Sequence, residues 1–558
     1  MTKPMTRRGF FRFSRLTKRA LDDNLPRQIS PPSTVFLSGL APYSGTWDTE
    51  QIAHLLRRTM FGAKNTDIEF FGNLTPSDAI DLLLLQPATP LPPINDYSAD
   101  TNDPQVPEGE TWVDASQNSN LSPVRTRSLK CWWIGNMLEQ GRSLHEKMVL
   151  FWHNHIPVEF DVVRNAHYSH QYLHTLYENA FGNFKTLMKA ITLDPAMLVY
   201  LNGQLNNAGA PDENYGRELQ ELYCIGKGPG SAYTEEDVQA AARVLTGWKI
   251  AAGSTEAYFA PGAHDTNEKV FSSFYGKAVI EGKQGDEGAE ELDELLDMIF
   301  DHPETAKHIC RKLYTFFVYQ NIDDEIEQAI IEPLAQLLRD NDYEIRPVLE
   351  TLLKSEHFFD PWFRGSMLKS PLEQVIGMAR EMHVVFPNPL DFQANYEVRK
   401  ELHSYLPDLL QDPGDPYDVA GWPAWYQVPV FYKWWVTVAT LPRRARHTDM
   451  MLTTGYSSGN FQVKLDVVRY TETLADPADP EGLVDEVIRL FYGIEVADVV
   501  KDQLKSILLS GQANDYYWTD AWYEYQNAPG DPTAYNVVQT RLQTFYQSIL
   551  QLEEYQLL

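Results

Sequence analysis

Apolar positions recur at helical spacing along almost the whole chain from about residue 46 onward, and runs that alternate in the manner of strands are rare. Thr75-Pro76-Ser77-Asp78 ahead of Ala79, Ile80 and Leu82 to Leu85 reads as a helix cap, a first-turn proline and an acidic first turn. Thr234, followed by Glu235, Glu236 and Asp237, caps a second helix whose Val238, Ala241, Ala242 and Leu245 share a face before Gly247 ends it. Pro303 opens a third, with Ile309, Leu313, Phe316 and Phe317 on its apolar stripe, and Ser370-Pro371-Leu372-Glu373 opens another. The pattern predicts a mainly α protein with few short strands, a large irregular multi-helix body over residues 46–475. Leu483, Val484, Val487, Ile488, Leu490 and Phe491 then begin a C-terminal helical subdomain over 476–558.

Three segments interrupt the helices. Residues 87–110 are proline-rich and acidic, 251–288 are glycine-rich and predicted to hold the few strands, and 386–418 form a mixed connection. Loops of this kind often carry functional groups.

Charge narrows the partners. A net charge of -30 sets the body against a nucleic-acid backbone, and no apolar run approaches the roughly 20 residues a transmembrane helix needs. Residues 1–45 break the acidic pattern as a basic N-terminal arm, where Lys3, Arg7, Arg8, Arg12, Arg15, Lys18, Arg19 and Arg27 face only Asp22 and Asp23. Thr6-Arg7-Arg8-Gly9-Phe10-Phe11-Arg12 resembles the core of a twin-arginine export signal, yet the apolar segment that should follow is missing. Arg7-Arg8 therefore points to periplasmic export and the missing segment to the cytoplasm, which leaves the location open. Cys131, Cys224 and Cys310 are too scattered for a disulfide framework or a thiolate zinc site.

The chemistry gathers in three places. Phe151-Trp152-His153-Asn154-His155 puts two imidazoles two residues apart. Extended backbone, which Pro157 favours, would point both rings to one face and suit a shared metal, whereas a continuing helix would splay them. His167, His170 and His174 follow at helical spacing, and all of these histidines read equally as hydrogen-bonded members of an aromatic core. In Asn214-Tyr215-Gly216-Arg217-Glu218-Leu219-Gln220-Glu221, Glu218 and Glu221 share a helix face and could supply ligands or an acid and base. Arg217 could bind an anionic group or tie helices together. His264-Asp265 lies in the glycine-rich segment, while His302 and His308 read as helix-end and surface residues. No serine elbow, phosphate loop or dinucleotide fingerprint is present.

His54-Leu55-Leu56-Arg57-Arg58-Thr59-Met60-Phe61-Gly62, the His153-Asn154-His155 segment, the Asn214 to Leu222 segment, Thr246-Gly247-Trp248, His264-Asp265 and Gly421-Trp422-Pro423 occur in order. Together they resemble the bacterial family called domain of unknown function 1800, over about residues 46–435. The resemblance implies a helical body and no assigned reaction. It also implies, as a partner, a companion protein that resembles alkaline phosphatases.

The leading expectation is a metal-assisted enzyme acting on a small-molecule or polymer substrate. His153, His155, Glu218 and His264 would hold a divalent transition metal (zinc, iron or manganese), with Asp265 or Glu221 as a further ligand or base and Arg217 on an anionic substrate. These residues are expected around one concave pocket, because ionisable groups inside an apolar body are costly unless they satisfy one another. The rival expectation is a non-catalytic binding or assembly protein acting with an exported or cell-surface partner, through the aromatic run Trp422, Trp425, Tyr426, Phe431, Tyr432, Trp434 and Trp435, which reads otherwise as core. Asp412, Asp415 and Asp418 raise calcium as a third reading, with solvated turn carboxylates as the plain alternative.

Overall fold

Capping chemistry sets the helix starts where the sequence places them. In the computed structural model, which describes residues 38–458 and 461–558, Thr75 accepts from the Asp78 N–H ahead of the Pro76–Leu83 helix. Thr234 and Ser370 each close a reciprocal capping box, ahead of Glu235–Val244 and Pro371–Glu381. His302 caps Pro303–Phe317 by accepting from the Glu304 N–H, the helix-end role its position predicts. Arg7-Arg8 and nearly all of the basic arm lie outside the described residues.

The protein is mainly α. Among the described residues the only sheets are two-stranded antiparallel pairs: Trp248–Ile250 with Ala257–Phe259, Lys269–Val270 with Val279–Ile280, and Tyr456–Ser458 with Phe461–Val463. The first two lie in and beside the glycine-rich segment; the third lies far from it. No helix among the described residues is long and apolar enough to cross a membrane.

The core forms around the His145–His155 helix, in which every residue except Asn154 is buried. That helix carries ionisable side chains, and each finds its partner outside the helix. Both oxygens of the Glu146 carboxyl lie within hydrogen-bond distance of the Tyr177 hydroxyl, Lys147 pairs with Glu373, and His145 Nε2 lies 2.9 Å from the Tyr177 carbonyl oxygen. The proline-rich segment 87–110 is anchored in the same way. Arg125 donates to Asp103 at 2.8 Å with both side chains fully buried, and the Tyr97 hydroxyl donates to the same carboxylate.

Residues 39–558 cluster as one compact unit. Part of the reason is the opening Thr49–Thr59 helix, whose Arg57 and Arg58 are both buried: Arg57 donates to the Leu490 carbonyl and Arg58 to that of Phe363. At the other end, the Lys369 N–H donates to the Gln556 carbonyl at 2.7 Å and the Leu558 N–H to that of Met367 at 2.8 Å.

Burial pushes the Glu146 carboxyl up from 4.5 to about 8. Across that window the folded state holds a proton that the unfolded chain has lost, so stability falls as pH rises through it and the full penalty stands above it. Glu146→Gln removes the ionisation. Thermal melts should show the variant gaining on the order of 1 to 3 kcal/mol over wild type at the alkaline end and converging with it at the acid end.

Candidate functional site

The His145–His155 helix runs through both histidines of the Phe151 to His155 segment, so the extended backbone that would align their rings is not formed. The reason is local. Proline restricts the residue before it, and that residue is Ile156, which has left the helix with φ -126° and ψ 62°.

His153 points into the interior, and both of its nitrogens are engaged. The Tyr172 hydroxyl donates to the Ile156 carbonyl at 2.8 Å, so it accepts from His153 Nδ1–H at 3.1 Å, and Nε2 accepts the Gly414 N–H at 3.2 Å. Burial, with the Lys130 cation nearby, pushes this imidazole down to about 3 and keeps it neutral. His155 donates from Nε2 to the Tyr223 carbonyl at 2.9 Å, and burial together with His308 and Lys312 holds it well below the usual histidine range. His308 is not a surface residue: half-buried, its ring centre lies 5.8 Å from that of His155, and Nε2 donates to the Leu222 carbonyl.

The Asn214–Glu218 helix continues as a π-helix over Leu219–Cys224. Gly216 lets it lie against the Glu235–Val244 helix, since a Cβ there would come 3.1 Å from the Ala242 nitrogen. Arg217 ties helices together, donating to Glu235 at 2.7 Å and Glu213 at 3.0 Å. Glu221 pairs with Lys227. Glu218 is half-buried and has no hydrogen-bond or ion-pair partner among the described residues; burial raises its pKa, and the Glu221 and Asp418 carboxylates add to the rise.

His264 and Asp265 belong to a different knot. His264 Nδ1 donates to the Thr246 carbonyl at 2.9 Å, and Nε2 lies 3.0 Å from a Glu291 oxygen. The Asp265 N–H donates to Thr246 Oγ1, and its carboxylate accepts from Arg243 Nε at 2.7 Å. Burial would raise that carboxyl, but Arg243 and Asn267 reverse the effect and hold it far below the carboxylate range. Fully buried Lys269 closes the knot by pairing with Glu291 and donating to the Asp265 carbonyl. These contacts pin the glycine-rich segment to the end of the Glu235–Val244 helix.

Three segments do converge elsewhere, on Asn154. Its Oδ1 accepts the Trp422 N–H at 2.9 Å, and Gly421 sits so close that a Cβ would come 2.3 Å from the Asn154 carbonyl oxygen. The same turn carries Asp418, which accepts from the Tyr426 hydroxyl at 2.7 Å. Across from it the Tyr200 hydroxyl donates to Glu159 at 2.8 Å, and burial together with Glu159, Asp418 and Glu218 raises the pKa of that tyrosine far above its ordinary value. Glu159, Tyr200, Glu218 and Asp418 thus form an acidic cluster. Next to Asn154 lies a small aromatic cleft with room for about one water molecule, walled by Phe151, His155, Lys312, Phe316 and Trp425.

Within the expected set, then, His155 borders the aromatic cleft and Glu218 belongs to the acidic cluster. His153 lies in the interior behind them, Arg217 and Glu221 are spent on ion pairs, and His264 and Asp265 sit in their own knot. Among the described residues no three His, Cys, Asp or Glu side chains are grouped so as to hold a metal ion. Asp412 and Asp415 both face Lys130, with His403 Nε2 2.9 Å from Asp412, so these two carboxylates, which raised calcium as a third reading, are paired with a lysine and are not solvated turn groups. Of the aromatic run, Trp422, Tyr432 and Trp435 are core, and Trp434 is exposed.

The family model for a protein of unknown function, DUF1800, matches residues 54–557. The chain belongs to the DUF1800 family. No curated protein and no solved structure matches it. Within this DUF1800 chain the residues missed from sequence are Asn154, Glu159, Tyr200 and Lys312. Asn154 lay in plain view between two histidines; the others carry no motif, and a lysine on an amphipathic helix reads as solvated.

Gly421 has φ +88° and no room for a side chain. Gly421→Ala should cost on the order of 2 kcal/mol in denaturant unfolding and displace the Asp418 turn, seen as a change in Trp425 fluorescence.

Proposed function

We propose that the acidic cluster of Glu159, Tyr200, Glu218 and Asp418 is the reaction centre of an enzyme that acts by acid–base chemistry on a neutral or cationic group, with Glu218 exchanging the proton. The observation that carries this reading is the state of Glu218, a half-buried carboxyl with no hydrogen-bond or ion-pair partner among the described residues, whose pKa is raised by burial and by the Glu221 and Asp418 carboxylates against the opposing pull of Lys227 and Arg217. A carboxyl lifted toward neutrality both gives and takes a proton readily. The surrounding acids disfavour an anionic substrate and favour hydroxyls or amines. The metal-assisted form of this reading requires His153 to give up two hydrogen bonds; the acid–base form uses the geometry as it stands.

One observation favours the rival role of a partner-binding protein. Val428, Val430, Trp434, Val438 and Leu441 are all exposed within one short stretch after Gly421-Trp422-Pro423, an apolar ridge that a protein partner could cover.

The acid–base reading is tested by screening purified protein for turnover of glycosides, esters, amides and amines, and by following Glu218 through carboxyl 13C NMR. Turnover should fall about a hundredfold or more in Glu218→Gln and change only severalfold in Arg217→Gln. The carboxyl should titrate above its ordinary 4.5. A substrate turned over at the wild-type rate by Glu218→Gln, or an ordinary titration of Glu218, overturns the assignment.

A further inference from the structure

Most histidines of this chain spend a ring nitrogen on a hydrogen bond, as His145, His153, His155 and His167 do. His170 and His174 do not: neither has a hydrogen-bond or ion-pair partner among the described residues. Both lie on the Ala166–Glu178 helix, one turn apart, and both are half-buried, so their rings stay within reach of solvent. Residues four apart on a helix share a face, and here the two rings lie nearly parallel, 13° between their planes, with centres 6.1 Å apart. The rings of Trp112 and Trp132 back His170, with centres 6.0 Å and 6.3 Å away.

Three features separate this pair from the histidines of the His145–His155 helix. His153 and His155 are two residues apart on a helix and point apart, both are committed to hydrogen bonds, and a lysine acts on each, Lys130 on the first and Lys312 on the second. A cation arriving there meets like charge. At His170 the only charges that weigh on the ring are those of His174 and His167. Burial together with these two pushes the imidazole down to about 4, so near neutral pH a metal ion has no proton to displace from it. His167 stays out of the pair, because its Nε2 donates to the Ala115 carbonyl at 2.9 Å.

We propose that His170 and His174 form a two-histidine site for a divalent transition-metal ion, zinc or copper(II). Each ring offers an unspent nitrogen, a ligand that suits these ions and not the oxygen-seeking magnesium and calcium. A metal–nitrogen bond is about 2.0–2.1 Å long, so the rings must turn toward a shared ion, and neither breaks a hydrogen bond in doing so. No third His, Cys, Asp or Glu completes a set among the described residues, so the remaining positions belong to water or to a donor atom of a bound molecule. A sphere left open in this way is that of a metal that takes ligands, whereas a structural zinc is closed by four protein groups. The net charge of -30 draws cations to the chain. The pair shares no residue with the acidic cluster around Glu218 and stands or falls without it.

The test strips the full chain with chelator, returns it to chelator-free buffer near neutral pH and titrates it with zinc or copper(II) chloride by calorimetry. Electron paramagnetic resonance of the copper form reads the ligands directly. One ion should bind per chain in the presence of excess magnesium and calcium, and the copper spectrum should carry the nitrogen coupling of two imidazoles. His170→Ala and His174→Ala should each weaken binding at least about tenfold and leave the coupling of one imidazole. His302→Gln, outside the pair, should bind as wild type does. Circular dichroism of the metal-free variants checks that they fold, and the wild-type spectrum decides without any variant. A wild-type copper spectrum that lacks two-imidazole coupling overturns the proposal, as does binding that survives undiminished in the doubly substituted His170→Ala, His174→Ala chain.

Discussion

The interior of this protein is organised by the cost of burying one helix that is not apolar. Residues 145–155 carry His145, Glu146, Lys147, His153 and His155 into the core, and none of them can be left unsatisfied there. Each debt fixes a neighbour. Tyr172 and Tyr177 bring the Ala166–Glu178 helix, Glu373 brings the start of the Pro371–Glu381 helix, the Tyr223 carbonyl brings the π-helical segment, and the Gly414 N–H brings the loop that leads to Gly421. A hydrocarbon core of the same size would pull these elements in without specifying their order or register.

The one residue of that helix left partly open is Asn154, and its position follows from the same constraint. With the flanking histidines committed inward, the asparagine faces the Trp422 turn, and the aromatic cleft lies beside it. Side chains that belong to neither, such as Arg217 and Asp265, hold scaffold geometry through ion pairs. Strongly polar residues in a family's motifs are thus divided here between building the fold and lining its openings.

The helices were legible in the sequence because caps are local: Thr75, Thr234 and Ser370 each act within three residues of themselves. The mainly α class follows from the same signals. The Phe151 to His155 segment was misjudged because the effect of Pro157 was assigned to His155, when a proline acts on the residue just before it. The site was less legible for a different reason. Which buried charge pairs with which depends on chain crossings such as Lys147 with Glu373 or Lys269 with Glu291, and nothing in local spacing records them. Lys312 shows the limit most clearly, since only the folded chain reveals that no carboxylate among the described residues offsets its burial.

The π-helical turn at Leu219–Cys224 carries a consequence for how this chain can vary in length. A π turn accommodates one residue more than the α-helix around it, and each residue of an α-helix advances the chain by about 100°. Deleting a single residue there would let the helix run straight, yet it would swing Glu218 out of phase with Tyr223 and separate that carboxyl from the carbonyl that holds His155. A residue added to or lost from a loop leaves this phase intact, while this turn counts residues.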